Sequence, residues 1–255
     1  MYRRDVVNTN EFSFWYGNFQ ALKKLTVNIE ANKITALIGP SGCGKSTFLK
    51  CLNRINERGG TEVSHEGSIQ VFGQDIYHPT VALPELRRQV GMVFQKPNPL
   101  PLSIYENVAF GPRTHMKNIK RSELDEMVES ALTRVNLWND FKDKLNRPGL
   151  ILSLEKQQRL CIARLLPLKP RLILLDEPCS ALDPAGIGAI EELTRDLKKD
   201  YSIIIVTHSM SQAKRVSDDT IFMYMGELVE MGKTQELFNS PKHPKTGAYI
   251  EGRFG

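Results

Sequence analysis

The apolar run Ile34-Thr35-Ala36-Leu37-Ile38 leads directly into Gly39-Pro40-Ser41-Gly42-Cys43-Gly44-Lys45-Ser46-Thr47, and this junction restricts the fold more than any other stretch of the chain. The run has the length of a buried strand, and the residues after it fit G-x-x-x-x-G-K-[ST], a pattern that belongs between a strand and a helix. Side chains beside a polyphosphate would keep the backbone away from it. Glycines remove that obstacle, so successive N–H groups can point inward, and a helix starting near Lys45 adds its positive end. In such a loop Lys45 reaches the β- and γ-phosphates. The Ser46 hydroxyl is a hard oxygen ligand of the kind Mg²⁺ prefers.

The remainder of the chain alternates short apolar runs, flanked by glycine or proline, with longer helix-period stretches, which predicts an α/β fold with a mostly parallel sheet. Predicted strands are Phe12–Trp15, Leu25–Ile29, Ile34–Ile38, Ser68–Phe72, Val90–Phe94, Leu172–Leu175, Ile203–Val206, Thr220–Tyr224 and Glu227–Glu230. The middle differs. Between Lys120 and Trp138, Leu124, Met127, Val128, Ala131, Leu132 and Val135 form one stripe of an amphipathic helix, with Ser122 and Asp125 as the expected start cap. A helical insert is therefore expected over residues 97–165. It divides a single domain, residues 1–255, into a β and phosphate-loop part (1–96), the insert, and a second core part (166–255). Arg58 to Glu66 reads as a loop.

Composition excludes several classes. The 255 residues are 41% hydrophobic, enough for a real core, but no apolar run approaches the ~18 residues of a membrane span. The first residues show no secretion signal, so the expected compartment is cytoplasmic. Cys43, Cys51, Cys161 and Cys179 show no metal or redox spacing and are expected to be free thiols. The five histidines include no H-E-x-x-H pair, which removes support for a zinc hydrolase. A net charge of +5 comes from scattered basic residues, read as solvated surface and not as a nucleic-acid site.

A phosphate loop needs a second carboxylate for the metal, and Arg171-Leu172-Ile173-Leu174-Leu175-Asp176-Glu177-Pro178 supplies one at a buried strand's end. Asp176 is the expected holder of the Mg²⁺ shell. Glu177 follows, and strand alternation would aim it elsewhere, where a carboxylate can polarise a water for attack on a γ-phosphate. Gln95 and His208 also lie just past apolar strands, where ligands collect in open α/β sheets. Gln95 is a candidate for the metal or the attacking water, and His208 for the γ-phosphate.

Tyr16-Gly17, the phosphate loop, Gln95, Leu152-Ser153, Asp176-Glu177, Ser180-Ala181-Leu182-Asp183 and His208 form an ordered set. The set resembles the ATP-binding subunits of ABC transporters over nearly the whole chain. The stretches GPSGCGKSTFLKCLNRIN, VGMVFQKPNPLPLSIYENVAFGPR, LLDEPCSALDP and YIEGRFG look like those of bacterial phosphate importers. The resemblance implies a P-loop NTPase core with a mostly parallel sheet, an N-terminal antiparallel β subdomain and a helical insert subdomain. It implies ATP and Mg²⁺ as ligands and a peripheral place on the cytoplasmic face of the membrane, bound to transmembrane permease subunits. It also implies a head-to-tail dimer, each ATP lying between the phosphate loop (Gly39, Pro40, Ser41, Gly42, Cys43, Gly44, Lys45, Ser46, Thr47) of one chain and the signature, with Ser153, of the other. By position, Tyr16 would stack on adenine, Gln95 would form the Q-loop, Asp183 would lie across the dimer, and His208 would be the switch. Soluble ABC proteins with two nucleotide domains or a long coiled-coil insert fit less well, as does a GTPase, since no Asn-Lys-x-Asp segment occurs.

The signature itself departs from the family. In place of Leu-Ser-Gly-Gly-Gln stands Leu152-Ser153-Leu154-Glu155-Lys156. Glycine lets a helix N-terminus approach a phosphate, and Leu with a carboxylate removes that freedom. A Glu155 within ~5 Å of a γ-phosphate would be repelled by roughly 3 kcal/mol at an effective dielectric of ~20, partly offset if Lys156 turned inward. Two readings stay open: a homodimer with impaired hydrolysis, including a regulatory or structural subunit, and a heterodimer with a chain whose signature is intact.

Overall fold

The structure, a computed structural model, describes residues 5–254. Strands β1 (Asp5–Tyr16), β2 (Phe19–Glu30), β4 (Val63–Val71) and β5 (Gln74–Asp75) form an antiparallel sheet in the order β2-β1-β4-β5. Strands β3 (Ile34–Ile38), β6 (Val90–Val93), β7 (Leu172–Asp176), β8 (Ser202–Val206), β9 (Asp219–Tyr224) and β10 (Glu227–Lys233) form a second sheet in the order β10-β9-β3-β8-β7-β6. All its pairings are parallel except that of β9 with β10. The expected α/β class with an N-terminal antiparallel sheet is what folds.

Parallel strands covered on both faces need near-continuous apolar runs, and β3, β7 and β8 supply them. Ile173, Leu175, Ile203 and Ile205 face one core with the insert helices, whereas Leu172, Leu174, Ile204 and Val206 face another with the first sheet. The register decides where chemistry collects. Leu37 stands opposite Val206, Val206 opposite Asp176, and Leu175 opposite Val93, so β3, β8, β7 and β6 end level with one another. The residues that follow them emerge along one edge.

The helices are α1 (Lys45–Cys51), α2 (Leu83–Gln89), α3 (Ile104–His115), α4 (Arg121–Arg134), α5 (Trp138–Phe141), α6 (Leu154–Ala163), α7 (Pro184–Leu197), α8 (Met210–Val216), α9 (Thr234–Asn239) and α10 (Pro244–Ile250). Helices α3 to α6 make up the insert. The α4 stripe packs as the periodicity predicts, with Leu124, Val128, Ala131 and Leu132 buried and Met127 at its margin. The expected cap does not form. The helix starts at Arg121, so Ser122 is already inside its first turn. Asp125 instead accepts the Tyr105 hydroxyl at 2.6 Å and pairs with Arg121.

Other boundaries differ from expectation, and β1 and β2 are each 12 residues long, starting well before the predicted Phe12 and Leu25. Residues 63–66 are not loop, because Tyr16, Trp15, Phe14 and Ser13 pair with Val63, Ser64, His65 and Glu66 and draw these mostly polar residues into β4. Phe72 falls outside that strand with φ +54. The four cysteines are free and buried. Among the described residues no helix is long and apolar enough to cross a membrane.

Candidate functional site

The Gly39-to-Thr47 segment leaves the end of β3 and enters α1, and its geometry explains its glycines. Gly39 has φ +146, and a Cβ there would lie 2.1 Å from the Met223 carbonyl oxygen. Gly44 has φ +104, and a Cβ would lie 3.0 Å from the Ala21 carbonyl oxygen. Only glycine meets both demands. Gly44 precedes α1 and has no side chain to cap it, so the first N–H groups of the helix face the loop without a side-chain partner. Lys45 is buried, and its Nζ donates to the carbonyls of Gly39 at 2.7 Å and Pro40 at 2.8 Å, which carries the ammonium to the loop's centre. Cys43 accepts through its carbonyl from Gly226 at 3.0 Å, so the β9–β10 turn braces the loop. Ser41 and Gly42 line a cavity of about 390 Å³ beside that turn.

Tyr16 ends β1, half-buried, with its ring edge-on to Phe14 at 5.2 Å. Burial pushes its phenol up, against hydrogen bonds with Thr47 and Asn56. It therefore stands beside the first turn of α1, with Thr47.

Asp176 is the last residue of β7 and is 5% exposed. Its Oδ1 accepts from the Ser46 hydroxyl at 2.7 Å, and Lys50 Nζ lies 3.9 Å from its Oδ2. Glu177 is not on the strand. Strand alternation therefore does not set its direction; a left-handed backbone does, with φ +48, while its amide donates to Val206 at 3.0 Å. The turned carboxylate accepts from Gln95 Nε2 at 2.9 Å and lies 2.5 Å from His208 Nε2. Gln95 thus carries its amide to Glu177, as His208 does its ring. Lys45, Ser46, Asp176, Glu177, Gln95 and His208 all lie at the edge where β3, β6, β7 and β8 end. Two hard oxygens in contact, Ser46 Oγ and Asp176 Oδ1, next to a cradle that only glycine can build, fit a magnesium-bound polyphosphate.

Ser153 and Asp183 belong to a second place. Each caps a helix: Ser153 Oγ accepts from Lys156 N at 3.5 Å to start α6, and Asp183 Oδ1 accepts from Gly186 N at 2.7 Å to start α7. They share a cavity of about 520 Å³ with Leu154, Glu155, Arg159 and Leu182, and no phosphate-loop residue lines it. Lys156 does not turn toward that cavity; its Nζ bonds Asp140 at 2.7 Å. Glu155 pairs instead with Arg159 one turn along α6. Its charge is compensated within its own helix, which weakens the repulsion expected of an isolated carboxylate.

Gln158 was not anticipated. It is fully buried on α6, and its Nε2 donates to the Phe94 carbonyl at 3.3 Å, one residue before Gln95. The available signal was its place with Cys161 and Ile162, at i, i+3 and i+4, on the buried face of α6.

Comparison with known proteins agrees with this architecture. A family model described as ABC transporter matches residues 22–180. Among solved structures, CbiO1 from Clostridium perfringens, part of the ABC transporter complex CbiONQ, is 28% identical with a TM-score of 0.81, covering 97% of this chain and 99% of its own. A bacterial Atm1-family ABC exporter with ATP bound is 27% identical with a TM-score of 0.78, covering 98% of this chain and 42% of the exporter's. The dimeric ATP-binding cassette MJ0796, in a post-hydrolysis state with ADP and Pi, is 26% identical with a TM-score of 0.75, covering 89% of this chain and 98% of its own. The match over residues 22–180, on a fold shared with such structures, places the chain in the ABC transporter family, as an ATP-binding domain.

Proposed function

We propose that the chain is the ATPase subunit of a membrane importer, seated on permease subunits at the cytoplasmic face, and that its cargo is inorganic phosphate. Gly39 to Thr47 cradle the phosphates, Lys45 neutralises the β- and γ-oxygens, and Tyr16 lies under adenine. Ser46 and Asp176, with Gln95 nearby, would hold Mg²⁺, which when bound offsets phosphate charge. Glu177 accepts a proton from the attacking water as the γ-phosphorus bond to the bridging oxygen breaks, and ADP and phosphate leave. Gln95 and His208 orient that carboxylate. A second copy or a paralogue would bring Ser153 and Asp183 over the nucleotide.

The observation that carries this reading is the Glu177 carboxylate held by Gln95 and His208, beside the Ser46–Asp176 contact. Replacing Glu177→Gln is expected to lower kcat by about 10²–10⁴-fold while MgATP still binds. Unchanged turnover would overturn the assignment. The cargo rests on the resemblance of four sequence stretches to phosphate importers; CbiO1 belongs to a different complex. Co-purification from the native membrane tests it, with phosphate-permease-like chains as the expected partners. The altered signature favours a second reading, in which a homodimer hydrolyses poorly and acts as a regulatory subunit or pairs with an intact paralogue. ATP binding measured beside ATPase rate separates the two.

A further inference from the structure

Gln95 reaches Glu177 from a segment that lies beyond the sheet. Strand β6 ends with Val93 opposite Leu175, and after Gln95 the chain runs Lys96-Pro97-Asn98-Pro99, in which the two prolines have no N–H to donate. Side chains of α6 take over. Gln158 Nε2 donates to the Phe94 carbonyl at 3.3 Å on one side of Gln95. On the other side Arg164, at the carboxyl end of α6, donates to the Asn98 carbonyl at 3.0 Å and to the Asn98 Oδ1 at 3.2 Å. The two anchors bracket Gln95, whose own Nε2 donates to Glu177 at 2.9 Å.

Packing alone does not account for Gln158. It is fully buried, on a helix face shared with Cys161 and Ile162, and among the described residues its Oε1 has no hydrogen-bond partner. An amide buried with its oxygen unmet is less favourable than an apolar side chain of the same size. What the apolar side chain lacks is a donor. Only the nitrogen end of the amide can face a carbonyl, which settles its orientation, and its bond falls on the peptide group that joins Phe94 to Gln95. That group is planar and includes the Gln95 Cα, so holding its oxygen limits how Gln95 can turn relative to β6.

We propose that Gln158 is a positioning residue for hydrolysis: it holds the Phe94–Gln95 peptide, through it the Gln95 amide, and through that amide the Glu177 carboxylate. The inference rests on Glu177 being the proton acceptor. Its test uses the full chain with Gln158→Met, which keeps length and volume while removing the donor together with the unpartnered oxygen, and with Gln158→Leu, a second side chain that cannot donate. Titration is expected to show MgATP affinity within about two-fold of the parent, while kcat falls about five-fold, the effect of one lost neutral hydrogen bond. Adding Gln158→Met to Gln95→Ala should slow turnover no further, because Gln158 acts only through Gln95. In NMR spectra of the nucleotide-free chain, the Gln95 side-chain amide is identified by its loss in Gln95→Ala. In Gln158→Met it should move toward its position in Glu177→Ala, where its acceptor is gone. An unmoved Gln95 resonance would overturn the proposal. So would losses that multiply in the double variant, which would mean general loosening of α6, and so would weaker MgATP binding with unchanged kcat. Equal turnover in Glu177→Gln and the parent would instead remove the reading of Glu177, and the Gln95 resonance would still decide whether Gln158 places that amide.

Discussion

Asp176 and Glu177 are adjacent in sequence and have opposite surroundings. Asp176 ends a buried strand against Ser46 and Lys50, whereas Glu177, turned by a positive φ, meets Gln95 and His208. A single backbone rotation separates a carboxylate suited to a metal from one suited to a proton. Lys45 is set up by similar local means, since two loop carbonyls hold its ammonium. Lys45→Met is therefore expected to act twice. MgATP affinity should fall about 100-fold in titration calorimetry, the effect of one or two charge-assisted hydrogen bonds. The Gly39 and Pro40 carbonyls also lose their partner, which should lower unfolding free energy in urea by about 1–3 kcal/mol.

At the scale of elements, α6 is where this chain departs from its family. Ser153 caps it, Glu155 pairs with Arg159 along it, and Lys156 ties it to Asp140 on α5. These interactions stabilise the helix at the face proposed above to meet the nucleotide of a second chain. Changing Leu154→Gly, Glu155→Gly and Lys156→Gln together should reverse that balance. Two glycines cost about 1 kcal/mol each in a helix, so the melting temperature should fall. If the altered signature is what slows a homodimer, its ATPase rate should rise at least ten-fold at the same time, measured as phosphate release. A lower melting temperature without faster turnover would show that Leu154 and Glu155 do not obstruct the site. The α4 stripe was legible from spacing alone because burial repeats every 3.6 residues. Its start was not, because Asp125 is drawn to the Tyr105 hydroxyl on α3, a contact that spacing within α4 cannot reveal.

Across the whole molecule, Asp219 fastens the edge of the parallel sheet. It opens β9 and bonds Lys33 before β3 at 2.9 Å and Lys233 at the end of β10 at 2.7 Å. Burial alone would raise its pKa, but the two lysines outweigh it and hold the carboxyl below its ordinary value. A depressed folded pKa means that this stabilisation is fully present above the unfolded value of about 3.9 and is lost as pH falls through the folded value. Asp219→Asn should therefore cost about 2 kcal/mol at pH 7, with the gap between variant and parent closing below about pH 4 in urea melts. The strand runs, the phosphate-loop spacing and the α4 stripe could all be read from the chain, since each follows from a local period or from residue types that one turn requires. Contact between Ser46 and Asp176, the turn of Glu177 toward His208 and the grip of Gln158 on Phe94 could not. By itself the sequence determined the fold class, the glycine-lined cradle and the acids available to it. Which acid meets which partner was decided by tertiary structure, because parallel register brings together strand ends far apart in the chain, and no local pattern encodes that distance.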